Sequence, residues 1–266
     1  MVLAAALFFV LLPGCHSGNA VPREEKSYSS RYVIDGDTIE LSNGQKVRYI
    51  GIDTPETRMK EGREWVLRPE RFGIEAKNRN SRLVEGKSLK LEFDVEEEDK
   101  YGRKLAYVYA NGVMVNSLLL KEGLATVYTF PPNVKHYKEM IGYQREAFEA
   151  KKGIWGTLKN IKASEVNGYE GMFCLVSGKV QGHEISFGKI YLYLETDVPD
   201  RLYLLIYPRN LSLFELEGID PLTYYHGKNI EVFGKISRQG SSFEMMIDNP
   251  FQIKVLDQDT KHSPGQ

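Results

Sequence analysis

The chain has 266 residues, 42% hydrophobic and 27% charged, with a formal net charge of −1. That is an ordinary balance for a soluble globular protein, with room for one large domain or two small ones, and two cysteines, Cys15 and Cys174, exclude a disulfide framework. The near-zero charge conceals a split: residues 21–163 hold 26 Lys+Arg against 22 Asp+Glu, and residues 164–266 hold 9 against 14, which favours a phosphate-bearing ligand on the first part only.

Residues 2–12 are continuously apolar, the length of a signal-peptide core and too short to span a bilayer as a helix. The following Leu12-Pro13-Gly14-Cys15 resembles the lipobox of bacterial lipoproteins, whose cysteine becomes the acylated N-terminus. Residues 1–20 are therefore expected to be a signal segment. Lipidation at Cys15 would tether an exported protein to the bacterial cell envelope. The alternative is a plain secretory signal cut after Gly18-Asn19-Ala20, giving a secreted or periplasmic protein. Cys174, in the apolar run Met172-Phe173-Cys174-Leu175-Val176, reads as a buried small hydrophobe.

Residues 28–39 read as one strand with a local break at Asp35-Gly36-Asp37, and residues 46–52 as the next, joined by the turn Ser42-Asn43-Gly44-Gln45. Thr54-Pro55 ends that strand. Residues 58–71 are dense in charge without periodicity and read as a mobile loop, whose Lys60, Arg63 and Arg68 are candidates for backbone contacts. A helix over 74–83, a strand over 88–93, a hairpin around Asn111-Gly112, a helix over 115–122 stopped by Gly123 and a longer helix over 137–151 follow. Residues 158–168 read as a polar linker. Beyond it the pattern restarts: strands over 171–180, 189–195 and 201–207, a helix over 211–225, and strands over 229–236, 243–247 and 253–256.

The expected fold class is mainly β with α (α+β). A five-stranded OB-type barrel with packed helices would occupy 27–157, a second OB-like β-barrel 169–257, and a disordered tail 258–266.

The chemistry concentrates in Val33-Ile34-Asp35-Gly36-Asp37-Thr38, in Arg48-Tyr49-Ile50-Gly51-Ile52-Asp53-Thr54-Pro55-Glu56, and in Asp99-Lys100-Tyr101-Gly102-Arg103. Alone, each has a bland reading: a turn, a helix-start charge, a solvated hairpin residue. Together they set four carboxylates beside two arginines. Clustered carboxylates suit a hard cation and paired arginines suit a phosphate, which indicates metal-assisted attack on a phosphodiester. The five histidines are scattered without metal-ligand spacing, which argues against a zinc site.

These motifs, with Leu105-Ala106-Tyr107-Val108-Tyr109 and Gly153-Ile154-Trp155 in the same order, resemble the staphylococcal-type thermonuclease family over about half the chain. The resemblance implies a Ca²⁺ cofactor held by Asp37, Asp53 and the Thr54 carbonyl, with Asp35 behind them. It implies that Glu56 positions or deprotonates the attacking water and that Arg48 and Arg103 bind the phosphate. Lys100, Tyr101 and Tyr128 would contact substrate, and Phe130 stands where the family reference has a tyrosine. DNA and RNA would be the substrates, cut to leave 3′-phosphates. The rivals are a catalytically weak binding module for nucleic acid or protein, and an envelope scaffold. For the second region, DNA binding competes with a structural or partner-docking role, its acidity favouring the latter.

Overall fold

The computed structural model describes residues 26–197 and 201–256. The expectations for the leader with Cys15 and for the tail lie outside the described residues.

The first half opens with β1 (Ser30–Val33), β2 (Thr38–Leu41) and β3 (Lys46–Tyr49), an antiparallel meander. The single strand expected over 28–39 is in fact two. Asp35-Gly36-Asp37 reverses the chain: the Asp35 carboxylate accepts the Asp37 N–H at 3.1 Å, and the Thr38 carbonyl accepts the Ile34 and Asp35 N–H groups at 3.0 and 3.3 Å. The strand expected over 46–52 also divides. Gly51 adopts a φ of +79°, which peels β4 (Gly51–Asp53) away from the sheet.

The presumed mobile loop is instead a separate hairpin, β5 (Arg58–Glu61) with β6 (Glu64–Leu67), turning at Gly62 with φ +62°. It is exposed on nearly every residue, so no buried face leaves a period in its sequence.

Then come α1 (Gly73–Val84), β7 (Leu89–Glu92), β8 (Lys104–Ala110), β9 (Val113–Met114), α2 (Val115–Lys121), β10 (Thr126–Tyr128) and α3 (Tyr137–Glu149). Helix α1 buries Ala76, Asn80, Leu83 and Val84, one helical face. Gly123, at φ +68°, ends α2 as expected. β10, absent from the sequence reading, pairs with β4. The main sheet runs β1-β2-β3-β8-β7, with β3 and β8 parallel and β9 on β8. It curls into a half-barrel until Tyr28 and Leu89 exchange two backbone hydrogen bonds of 2.8 Å. Ile39, Val47, Tyr49, Val108, Leu119 and Leu120 are among its fully covered core residues.

The second half contains β11 (Lys159–Lys162), β12 (Phe173–Ser186), β13 (Lys189–Leu194), β14 (Leu202–Ile206), α4 (Leu211–Glu215), α5 (Pro221–Tyr224), β15 (Asn229–Gln239), β16 (Ser242–Met246) and β17 (Ile253–Val255). The expected linker is not free chain, because β11 lies parallel on β12 within this sheet. The helix expected over 211–225 breaks where Gly218 takes φ +68° and Pro221 restarts the turn. The long strand β12 pairs with β13 at one end and β15 at the other, so β12-β13-β14-β16-β15 closes on itself.

The halves share packing. Ala147, Ile154 and Trp155 of the first half form one buried cluster with Phe233 of the second. The Phe233 ring lies 5.1 Å from Trp155 and 5.4 Å from Phe148. An ion pair between Lys235 and Glu70 crosses the same seam.

Candidate active site

The β1–β2 turn and the segment after β3 meet at one point. Asp37 is buried there; its Oδ1 accepts the Thr38 hydroxyl at 3.0 Å, and its Oδ2 accepts the Thr54 N–H at 2.9 Å and the Thr54 hydroxyl at 3.1 Å. Arg48 reaches the same carboxylate at 3.2 Å and donates to Asp53 Oδ1 at 2.7 Å. Its Nη1 also donates to the Tyr49 and Ile52 carbonyls at 3.0 and 2.7 Å. Three of its five N–H donors are thereby used, leaving two for a substrate oxygen.

Two buried asparagines hold this arrangement, and the sequence reading had missed both. Asn80 of α1 accepts the Tyr49 hydroxyl at 2.8 Å and donates to the Asp35 carbonyl at 3.2 Å. Asn116 of α2 donates to the Ile50 carbonyl at 2.8 Å and accepts the Val108 N–H at 3.0 Å. They fasten the two helices to the chain on either side of Arg48. The signal available in the sequence was an amide on an otherwise apolar helical face.

Four carboxylates around one arginine leave excess negative charge. Burial and the neighbouring Asp37 push the Asp35 carboxyl up to about 7. Burial raises Asp53 as well; Arg48 pulls it down, but Asp37 and Glu56 add to the rise. Glu56 is raised by burial, then by Asp37 and Glu70. Burial by itself would lower the Arg48 guanidinium, yet Asp37 and Asp53 carry it upward.

Arg103 stands on a turn built by Asp99. The Asp99 Oδ1 accepts the Tyr101 and Arg103 N–H groups at 2.9 and 3.0 Å, and Gly102 completes the turn at φ +76°. Asp99 Oδ2 receives the Arg103 Nε at 2.8 Å and Nη2 at 2.7 Å. Asp99 thus positions Arg103.

Arg48, Arg103, Lys100, Tyr101, Tyr128 and Phe130 all line one cavity of about 580 Å³. Asp53, Thr54 and Glu56 line a second, of about 530 Å³, with Glu70, Lys235 and Asp248. Tyr128 borders both, so a cationic, aromatic chamber abuts an acidic one across the Arg48–Asp53 contact. Glu70, Lys235 and Asp248 left no local sequence signal, because tertiary folding alone brings them here. The expected substrate-facing lysine and arginines of the 58–71 segment are on the exposed hairpin, where Arg68 pairs with Glu61 at 3.1 Å. Tyr191 and Tyr193 pack edge-on against Tyr203 in the second half.

The residues fit a hard cation. The carboxylates and the Thr54 carbonyl are all oxygen donors, and burial first, then neighbouring carboxylates, raises Asp35 and Glu56; a bound cation would offset the second of these. Among the described residues, however, no three His, Cys, Asp or Glu side chains are arranged as a metal-binding group. Asp37 and Asp53 are turned onto Arg48 instead.

Residues 46–157 match the family described as staphylococcal nuclease homologue. The chain is 39% identical over 134 residues to a thermonuclease of Staphylococcus hyicus, and covers 76% of that relative and 49% of itself. The chain belongs to the staphylococcal nuclease family. It is also 45% identical over 128 residues to the endonuclease YncB of Bacillus subtilis, spanning 46% of itself and 58% of the relative. With the SPbeta prophage-derived endonuclease YokF of the same organism the figures are 44% over 128 residues, 46% and 42%. The chain therefore covers only about half the length of these two endonucleases. The family match takes in Arg48, Asp53, Thr54, Glu56 and Arg103 and makes the first half OB-like, whereas Asp35 and Asp37 precede it and the second half follows it.

Proposed function

We propose that this protein is a Ca²⁺-dependent nuclease that hydrolyses phosphodiester bonds of DNA and RNA. One observation carries the reading. Arg48 is clamped between buried Asp37 and Asp53, with two donors left over, in the cavity that Arg103 also enters. Family membership and relatives named endonuclease and thermonuclease support it.

Asp37, Asp53 and the Thr54 carbonyl are the groups that would hold the ion, with Asp35 behind them. When bound, Ca²⁺ supplies charge neutralisation at the phosphodiester. The chain's own residues do the rest. The planar forks of Arg48 and Arg103 bind phosphate oxygens and stabilise the charge that grows on them. Glu56, its carboxyl raised by burial beside Asp37 and Glu70, is a stronger base than a free glutamate and orients water for attack. Tyr101, 73% exposed, and Tyr128 offer ring faces to a base, and Lys100 a charge.

Cleavage leaving a 3′-phosphate belongs to this reading, as do export and a membrane tether through Cys15. Among the described residues no helix is long and apolar enough to cross a membrane. The closed strand ring of the second half supports an OB-like barrel there. Its packing over Trp155 and Phe148 of the first half supports a structural contribution.

The test is degradation of plasmid DNA and of RNA by the full chain with added Ca²⁺, with Mg²⁺, and with chelator. Cleavage that needs Ca²⁺ is expected. Full activity in chelator, or no activity under any condition, overturns the reading.

A further inference from the structure

The substrate-facing cavity is not made by the first half alone. Arg209, in the short 3₁₀ turn Pro208–Asn210 after β14, lines it together with Arg48 and Arg103. Its guanidinium carbon lies 4.8 Å from the Phe130 ring centroid and 4.6 Å from that of Tyr207. Two aromatic faces thus fix the direction of the side chain. The turn beneath it is anchored: Asn210 is buried and donates to Asp248 Oδ1 at 3.4 Å and to the Ile247 carbonyl at 3.5 Å.

Burial raises the Asp248 carboxyl, and Arg209 offsets part of that rise through space, but the buried Arg209 Nε meets no hydrogen-bond acceptor among the described residues. The acidic residues lining the cavity are largely committed elsewhere, Asp99 to Arg103 and Glu98 to Lys104 at 3.1 Å. A buried N–H donor left without an acceptor is costly, and a guanidinium is built to bind phosphate oxygens in pairs. A volume of about 580 Å³ also exceeds what one phosphate occupies.

We propose that Arg209 binds a backbone phosphate of the nucleic acid next to the scissile one, so that the second half completes the substrate groove. The inference rests on the nuclease reading and extends it to a residue outside the family match. Phe130, lacking a hydroxyl, then serves as the platform that aims Arg209 as well as a surface for a base.

The experiment uses the full chain and a fluorescein-labelled single-stranded DNA oligonucleotide with Ca²⁺. KM and kcat are measured across a salt series for wild type, Arg209→Met, Arg209→Gln and Arg209→Lys, with thermal midpoints alongside. The Met variant keeps the packing on Phe130 and Tyr207; the Gln variant supplies the same comparison if the Met variant fails to fold. Loss of the contact is expected to raise KM about tenfold with kcat within about twofold, and to reduce the slope of log KM against log salt by about 0.7. Arg209→Lys should restore the slope, and Lys228→Ala, outside the cavity, should change neither quantity. Unchanged KM and slope in both neutral variants overturn the proposal while leaving the nuclease reading intact. If wild type itself does not cut, that reading fails, and anisotropy of the same oligonucleotide decides: about tenfold weaker binding by the neutral variants supports the Arg209 contact, equal binding removes it.

Discussion

The two halves of the chain are strung in the same way. Each runs first-second-third-fifth-fourth, with the third and fifth strands parallel: β1-β2-β3-β8-β7 in one, β12-β13-β14-β16-β15 in the other. Their closures differ. The first ring is joined by a single bridge, Tyr28 to Leu89, the second by a seven-residue ladder of β12 on β15. Their turns differ more. Between its first two strands the first half has Asp35-Gly36-Asp37, and the second has Phe187-Gly188, with the phenylalanine 98% exposed. Strand order therefore makes a scaffold, and the turns decide whether chemistry is mounted on it. The second half reaches the site from several places: Arg209 in the turn after its third strand, Lys235 in β15, and Asp248 just after β16.

The largest expected effect sits on a first-half turn. Arg103→Ala should lower turnover by about 10²–10³ and move the denaturant midpoint by less than about 0.5 kcal/mol. Arg103→Lys should restore little, because the charge remains and the fork is lost. A lysine variant near the wild-type rate would show that charge alone suffices.

The seam between the halves comes next. Phe233→Ala should destabilise the whole chain by about 3 kcal/mol, since this ring packs on Trp155 and Phe148. Trp155 emission should shift to longer wavelength. An unchanged midpoint would make the halves independent and break the comparison drawn at the seam.

A pair of glycines sharpens the contrast between turns. A Cβ on Gly36 would lie 2.6 Å from Thr54 Oγ1 and 2.8 Å from Ala76 Cβ, whereas on Gly240, at φ +61° in the β15–β16 turn, it would meet nothing within 4 Å. Gly36→Ala should therefore cost about 2 kcal/mol and abolish cleavage, by driving Thr54 off Asp37. Gly240→Ala should cost about 1 kcal/mol from backbone strain alone, with cleavage intact. Equal loss of cleavage in both would refute a site-specific role for the first turn.

The smallest effect is a pH dependence confined to the first half. Burial by itself would raise the Glu92 carboxyl, but hydrogen bonds from Lys135, Tyr109 and His136 outweigh it and hold it at about 2. A carboxyl lowered in the folded state adds stability above its ordinary value of 4.5, and that stability disappears as pH falls through about 2. Glu92→Gln should thus cost about 1 kcal/mol near neutral pH. Its urea midpoint should converge on wild type between about pH 4.5 and 2. A gap that persists at the acid end would assign the effect to packing.

Legibility in the sequence followed the range of the forces involved. Helices α1, α2 and α3 were readable because an apolar face repeats along a few turns and Gly123 stops α2 locally. The 58–71 hairpin was not, since neither of its faces is buried. β10 and β11 were missed because three- and four-residue strands take their identity from a distant partner. At the site, Asp35, Asp37, Arg48, Asp53, Thr54 and Glu56 could be named together because all lie within a short stretch of chain. Asn80, Asn116, Glu70, Arg209 and Asp248 could not, being set beside that stretch only by folding.

By itself the sequence determined the strand and helix alphabet of most of the chain and the donor set of the site, because propensity, turn chemistry and short motifs act over a few residues. The tertiary structure alone decided that Arg48 faces two carboxylates at once, that two helix amides lock its flanks, and that a turn more than a hundred residues beyond Arg103 reaches the same cavity. The last outcome depends on how two curled sheets pack through Phe233 and Trp155, and burial of apolar surface, which is blind to sequence distance, sets that packing.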